Sequence, residues 1–182
     1  MARPATIRDA TQAIEVVRQS ITILCAPDHH NDPVALDQWL ANKKTGSFED
    51  WISNPDNFCA VGELDGKVQG VGLLQKSGHL LLFYVAPGYE RRGLGRSIHG
   101  ALMAQAALWG LEKIHLESTS VARRFYESLG YKSSGPQKSW HGILQVFPYE
   151  KTLSVVSFNA LITSMHCLIA LIGLIEVAKT AA

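Results

Sequence analysis

The chain has 182 residues, of which 47% are hydrophobic and 18% are charged, and its formal net charge is +1. This length and composition predict one folded globular domain and exclude a disordered chain. The even charge balance predicts no nucleic-acid partner, because a nucleic-acid surface normally carries a basic excess on one face. Three scattered cysteines, Cys25, Cys59 and Cys167, predict reduced, buried thiols in a cytoplasmic protein.

The N-terminal third predicts a short strand followed by helices. A strand is expected over residues 5–8 and a helix over residues 11–24, ended by Pro27. The apolar positions of this helix recur on one face: Ile14, Val17, Ile21 and Leu24. Asp32 and Pro33 have the residue types of an N-cap and a first helical position, and Ser47 is a candidate cap for a further short turn.

Three apolar runs in the middle of the chain predict an antiparallel meander. Asp65 and Gly66 form a favoured two-residue turn between the runs 58–64 and 67–74. The third run, 79–85, is apolar without alternation, which predicts a central strand covered on both faces.

The pattern then changes to strand and helix in alternation. A long helix over 94–109, with Leu108 among its inward-facing positions, is followed by Gly110, a strand over 113–118 and a helix over 121–129 closed by Gly130. This order predicts that the strands 79–85 and 113–118 are parallel neighbours. Weaker strands are expected after Tyr131. The sequence therefore predicts an α+β fold over residues 1–153, with a mixed, mostly antiparallel central sheet flanked by helices.

The C-terminal segment 154–182 is apolar and predicts a helical tail. No charged residue occurs between Leu153 and Ile175, and about 20 apolar residues suffice to span a bilayer. Asn159 and His166 interrupt the run, and polar groups are costly in hydrocarbon. Three alternatives therefore stay open: a helix buried on the domain, a helix in a homodimer interface, or a membrane anchor.

A glycine- and arginine-rich loop connects the apolar strand to the long helix. Main-chain N–H groups and the helix dipole bind anions at such a position, and glycine lets the backbone approach phosphate closely. The loop lacks both the third glycine of a dinucleotide fingerprint and the lysine of a P-loop. We expect a phosphorylated cofactor to be bound by Arg91, Arg92, Gly93, Leu94, Gly95 and Arg96.

Two segments resemble the GCN5-related N-acetyltransferase (GNAT) superfamily. The run from Val85 to Arg96 is similar to its pyrophosphate motif, and the run from Ala122 to Tyr131 is similar to its tyrosine-bearing helix. The resemblance covers about residues 5–153. It departs at Glu90, where the family has glutamine or arginine, and at Thr119, where it often has asparagine.

The resemblance implies an enzyme that transfers an acetyl group from acetyl-CoA to an amine by direct attack. The acceptor is not identified, and a non-catalytic module that binds acetyl-CoA or CoA is the alternative. The resemblance also implies cofactor contacts from Phe83, Tyr84, Val85 and Thr119, with Thr119 alternatively capping the following helix.

The same resemblance implies that Tyr126 protonates the leaving thiolate. His79 and Glu117 are alternative general bases, and each is equally well explained as a polar group at a strand end. Members of this superfamily also act without a dedicated base.

No metal is expected, although the segment 28–32 contains two histidines and two aspartates. Consecutive ligands on one loop do not readily close a tetrahedral site. We expect these residues to line the access to the acceptor instead, and Trp39, Trp51 and Trp140 to pack in the core.

Overall fold

The computed structural model describes residues 1–140, 142 and 144–153. A first sheet is an antiparallel meander in the spatial order β1-β2-β3-β4. Its strands are β1 (Ala2–Pro4), β2 (Asn57–Leu64), β3 (Lys67–Gln75) and β4 (Leu80–Val85). Asp65 and Gly66 join β2 to β3 with φ angles of 54° and 72°, as a type I′ turn requires. The predicted hairpin is therefore confirmed.

A second sheet has the order β5-β8-β6, with β7 paired to β8. Its strands are β5 (Lys113–Ser118), β6 (Lys132–Ser133), β7 (Lys138–Trp140) and β8 (Leu144–Thr152). The two sheets are joined by a parallel bridge between His79 and His115, where the His115 N–H donates to the Gly78 carbonyl oxygen at 2.9 Å. The parallel direction of these two strands is thus confirmed, and beyond the bridge β4 and β5 belong to separate sheets.

Helices cover both faces of the first sheet. They are α1 (Ala10–Gln19), continued by a π-helical turn (Ser20–Leu24), then α2 (Ala26–His29), α3 (Pro33–Leu40), α4 (Thr45–Ser53), α5 (Leu94–Leu108) and α6 (Arg123–Ser128). Asp32 caps α3 as predicted, because its Oδ1 accepts a hydrogen bond from the Ala35 N–H at 2.9 Å. Val71 and Leu73 of β3 belong to the core beneath α1.

Three glycines on the opposite face of β2 and β3 form a glycine stripe (Gly62, Gly70 and Gly72). A Cβ built on any of them would lie within 2.8 Å of a side-chain atom of α5, on Leu94, Ile98 or Leu102. Because these positions carry no side chain, α5 lies close against the sheet.

The N-terminal strand was misplaced by the sequence analysis. The strand is Ala2–Pro4, which pairs with residues 60–62 of β2, whereas the expected strand over 5–8 is wrong. Residues 7–9 instead form a 3₁₀ turn, because the Asp9 carboxylate accepts from the Thr6 N–H at 2.7 Å and is ion-paired to Arg3 at 2.8 Å.

Three smaller expectations were also wrong. Pro27 lies inside the first turn of α2 rather than ending a helix, since proline is tolerated there. Helix α4 begins at Thr45, with Lys44 before it, so Ser47 is not its cap. Leu108, expected to face inward, is 69% exposed.

Residues Met1–Lys151 form one compact unit. Within the part of the chain that the structure describes, no helix combines the length and hydropathy needed to cross a bilayer. The tail 154–182, with Cys167, lies outside the described residues, so its three alternatives stay predictions. Cys25 and Cys59 are buried free thiols, as expected.

Candidate active site

A cavity of about 920 Å³ lies where β4 separates from β5. Its walls come from β4, from the loop before α5, from the connection between β5 and α6, and from the turn after α1. It brings together most residues that the sequence singled out: Phe83, Tyr84, Val85, Arg91, Gly93, Gly95, Arg96, Glu117, Thr119 and Tyr126.

One end of the cavity is built around the first turn of α5. Gly93 is the N-cap residue of α5 and has a φ of 82°. Because glycine has no side chain to cap the helix, the first N–H groups of α5 are open to a ligand. The arginine end of the cavity is defined by Arg91, Arg96 and Arg124. An uncapped helix start in the same cavity lining as three arginines is suited to bind a multiply charged phosphate.

Arg124 belongs to the run from Ala122 to Tyr131, and no cofactor contact is predicted for it from the sequence. It lies on α6, and the neighbouring Phe125 packs against the start of α5. A Cβ on Gly95 would lie 3.1 Å from the Phe125 ring, and Phe83 lies 5.2 Å from that ring between centroids. Phe125 therefore brings the helix that carries Arg124 next to the loop that carries the other two arginines.

Two of the expected cofactor residues lie outside the cavity lining. The Arg92 guanidinium lies over the Tyr89 ring at 5.0 Å. Leu94 is buried and packs toward Gly62 of the stripe, so only its main chain belongs to the open first turn. Glu90 is exposed to solvent, as expected for a carboxylate in this loop, and it also lines the cavity.

Strand β4 differs from the predicted central strand. It is the last strand of the first sheet, and Leu81 is 40% exposed. Leu82 pairs with Leu73 and Leu80 pairs with Leu74, so Leu81 is the extra residue of a β-bulge. Because a bulge re-aims the side chains around it, both Leu80 and Leu81 line the cavity.

Tyr126 is buried in the middle of an aromatic cluster. Its ring centroid lies 6.2 Å from that of Phe83 and 5.6 Å from those of Phe125 and Tyr131. Burial raises the pKa of Tyr126 well above its ordinary value of 10, and neighbouring Tyr84, Tyr131 and Cys25 add to this increase. The hydroxyl is therefore protonated throughout the neutral range, as a proton donor must be.

The two candidate bases occupy different positions. Glu117 lines the cavity, whereas His79 lies outside the lining and stacks on His115 with 4.8 Å between ring centroids. Burial lowers the pKa of His79 and the neighbouring His115 lowers it further, while Glu117 acts in the opposite direction. A neutral imidazole at His79 is thus favoured, and the charge of Glu117 acts on it.

The segment 28–32 supports the wall rather than forming it. The buried His29 contacts the Ile21 carbonyl oxygen through Nε2 at 3.1 Å, and its Nδ1 accepts from the Asn31 N–H. Asp28 accepts from the Ser120 N–H at 2.6 Å and so ties α2 to the connection before α6. Among the described residues, no group of three or more potential metal ligands is present.

The wall itself was missed by the sequence analysis. It is formed by Ser20, Leu24 and Cys25, which come just before the segment 28–32. The helical pattern had marked Leu24 as a core position, and no local signal distinguished it from the others. Thr119 lines the cavity but does not cap α6, because Ala122 is the N-cap residue and makes no side-chain bond.

Comparisons with known proteins agree with this architecture. A family model described as an acetyltransferase (GNAT) domain matches residues 25–153. An uncharacterized N-acetyltransferase of Mycobacterium tuberculosis (strain H37Rv) is 25% identical over 136 residues, which cover 70% of this chain and 85% of that protein.

Two solved structures share the fold. A GCN5-related N-acetyltransferase from Rhodopseudomonas palustris has 24% identity and a TM-score of 0.73, covering 84% of this chain and 95% of that one. PaiA N-acetyltransferase from Thermoplasma acidophilum, solved in complex with coenzyme A, has 21% identity and a TM-score of 0.73, covering 84% and 98%. The α+β fold predicted from the sequence is confirmed.

Proposed function

Because the chain belongs to the GNAT family of acetyltransferases, we propose that it transfers an acetyl group from acetyl-CoA to the primary amine of an acceptor by direct attack. One observation carries the proposal. A single cavity holds an uncapped helix start among arginines and, in the same lining, a buried tyrosine that keeps its proton. Anion binding and proton donation, the two requirements on the cosubstrate side, would thus be met by one cavity.

The arginine end is suited to the pyrophosphate of the cosubstrate. The N–H groups of residues 94–96 and the guanidinium groups of Arg91, Arg96 and Arg124 complement its charge. The pantetheine arm would then run along residues 83–85 of β4, whose side facing β5 is free of a continuous neighbouring strand. The structurally similar PaiA protein was solved in complex with coenzyme A, which supports binding of this cosubstrate by the shared fold.

In the proposed reaction the acceptor nitrogen attacks the carbonyl carbon of the thioester. A carbon–nitrogen bond forms, the carbon–sulfur bond breaks, and the departing sulfur takes the proton of the Tyr126 hydroxyl. The proton lost by the amine passes to Glu117 or His79, or directly to water. Glu117 has the more direct access, since it lines the cavity and His79 does not.

The substitution Tyr126→Phe tests the proposal. It removes one hydroxyl and keeps the ring contacts, so we expect kcat to fall about a hundredfold while the Kd for CoA changes by less than about twofold. Thiol release measures kcat, and calorimetry measures Kd.

Tyr149→Phe is the matched control. Tyr149 is also buried, but its hydroxyl donates to Glu127 at 2.6 Å and it lies outside the cavity lining, so its removal should leave kcat nearly unchanged. An unchanged kcat in Tyr126→Phe would remove Tyr126 from the mechanism. Binding of acetyl-CoA without thiol release by any amine would refute the transferase and leave a CoA-binding module.

A further inference from the structure

The end of the cavity opposite the arginines can be located from strand register. His79 and His115 face each other across the parallel bridge, and Leu81 and Glu117 each follow it by two residues, so both lie near the bridge. The effect of the Glu117 charge on His79 agrees with this position. Leu81 precedes the end of β4 at Val85 by four residues, or roughly 13 Å along the strand. Glu117 is therefore well separated from the loop that follows β4.

The positive charges of the cavity lie at the other end. Among the described residues that line it, the basic ones are Arg91, Arg96 and Arg124. Arg91 and Arg96 belong to the loop and first turn after β4, and Arg124 adjoins Phe125, which lies against Gly95. The proposed pyrophosphate site uses all three guanidinium groups, and the described lining contains no further lysine or arginine.

The walls beside Glu117 are mainly apolar. This leucine end of the cavity is defined by Leu24, Leu80 and Leu81, and the hydroxyl of Ser20 and the thiol of Cys25 lie in the same wall. An apolar body gains free energy from contact with such walls, and one ammonium group is complemented by one carboxylate. A carboxylate on the acceptor would be repelled by Glu117, and a second ammonium would lie against leucines with no second carboxylate at this end.

We infer that the acceptor is a primary monoamine on an aliphatic or aromatic body, without a carboxylate and without a second cationic group. This inference rests on the proposed function and deepens it. Glu117 binds the ammonium group near the bridge, and the amine reaches the thioester from the leucine end while CoA occupies the arginine end.

Matched pairs of acceptors test the inference on the full chain with acetyl-CoA. Phenylalanine differs from phenylethylamine by a carboxylate, and 1,6-diaminohexane differs from hexylamine by a second amine. We expect kcat/KM, measured by thiol release, to be at least about tenfold higher for the monoamine of each pair.

A substitution at the bulge provides a gain-of-function test. Leu81→Arg adds a cation to the same end of the cavity as Glu117, at a position that is already 40% exposed. We expect it to lower the ratio of kcat/KM for phenylethylamine to kcat/KM for phenylalanine by about tenfold. Leu108→Arg adds the same charge at a 69% exposed leucine outside the cavity lining and should leave that ratio unchanged. Each ratio is measured on one preparation, so it does not depend on the folded fraction.

The outcomes distinguish a wrong acceptor class from a wrong proposed function. CoA binding together with faster turnover of the amino acid or the diamine, or with no turnover of either monoamine, overturns the acceptor class and leaves the cofactor site standing. Absence of CoA binding in calorimetry overturns the proposed function itself.

Discussion

Strands β4 and β5 meet at the bridge between His79 and His115, and the packing there is sensitive to a methyl group added at the neighbouring Gly78. This residue has a φ of 86°, and a Cβ built on it would lie 2.5 Å from the carbonyl oxygen of Lys113. That oxygen belongs to the backbone of β5, so it cannot rotate away as a side chain could. The Gly78 carbonyl also accepts from the His115 N–H at 2.9 Å, which fixes the distance between the strands.

The cost of Gly78→Ala has two parts. A non-glycine residue with a left-handed φ costs about 1–2 kcal/mol, and forcing a methyl group into a filled site costs about 1–3 kcal/mol more. We therefore expect the free energy of unfolding to fall by about 2–5 kcal/mol. Urea denaturation followed by tryptophan fluorescence measures it.

Gly110→Ala separates the two parts. Gly110 has a φ of 68°, and a methyl group added there would meet no atom within 4 Å, so this variant should lose only about 1–2 kcal/mol. The difference between the variants measures the contact with Lys113. An equal decrease in the free energy of unfolding in both variants would show that the carbonyl oxygen of Lys113 moves aside freely. It would refute a rigid contact between Gly78 and Lys113.

Two further predictions concern buried titratable groups. Burial and the charge of Lys151 lower the pKa of His99 to about 4, and its usual value is near 6.5. As the pH falls, the histidine is protonated in the unfolded chain before it is protonated in the folded one. The free energy of unfolding is therefore highest above pH 6.5 and decreases as the pH falls toward 4, by about 2 kcal/mol between pH 7 and 5. His99→Gln should flatten this dependence in urea denaturation, and an unchanged slope would assign it to another group. Burial also raises the pKa of the Cys25 and Cys59 thiols to about 12, so iodoacetamide should alkylate both slowly at pH 8 until the chain is unfolded. Because Cys25 lines the cavity, CoA should protect it further and leave Cys59 unaffected in peptide mass spectrometry; rapid labelling of Cys25 in the folded chain would contradict this.

The features predicted correctly from the sequence are determined by neighbouring residues. The Asp65–Gly66 turn and the Asp32 cap need only the local backbone and one side chain. The strand Ala2–Pro4 was misplaced because a strand is defined by its partner, and the sequence does not show that β2 pairs with residues 2–4 rather than with residues 5–8.

The candidate site divides in the same way. The loop with Gly93 and the helix with Tyr126 are continuous segments, so their motifs were visible in the sequence. The stacking of His79 on His115 and the exposure of Leu81 depend on a bridge between two sheets and on a register shift. Such tertiary relations have no local signature, and this is why the leucine end of the cavity was not anticipated.

The glycine stripe has a consequence for protein engineering. It fixes the height of α5 above β2 and β3, and this height sets where the first turn of the helix points. A methyl group on Gly88 in the preceding loop, by contrast, would meet no atom within 4 Å, and only the φ of 82° restricts the residue there. A redesign of this loop therefore has free space at Gly88, whereas a larger residue at Gly70 would lift α5 from the sheet and move the arginine end of the cavity with it.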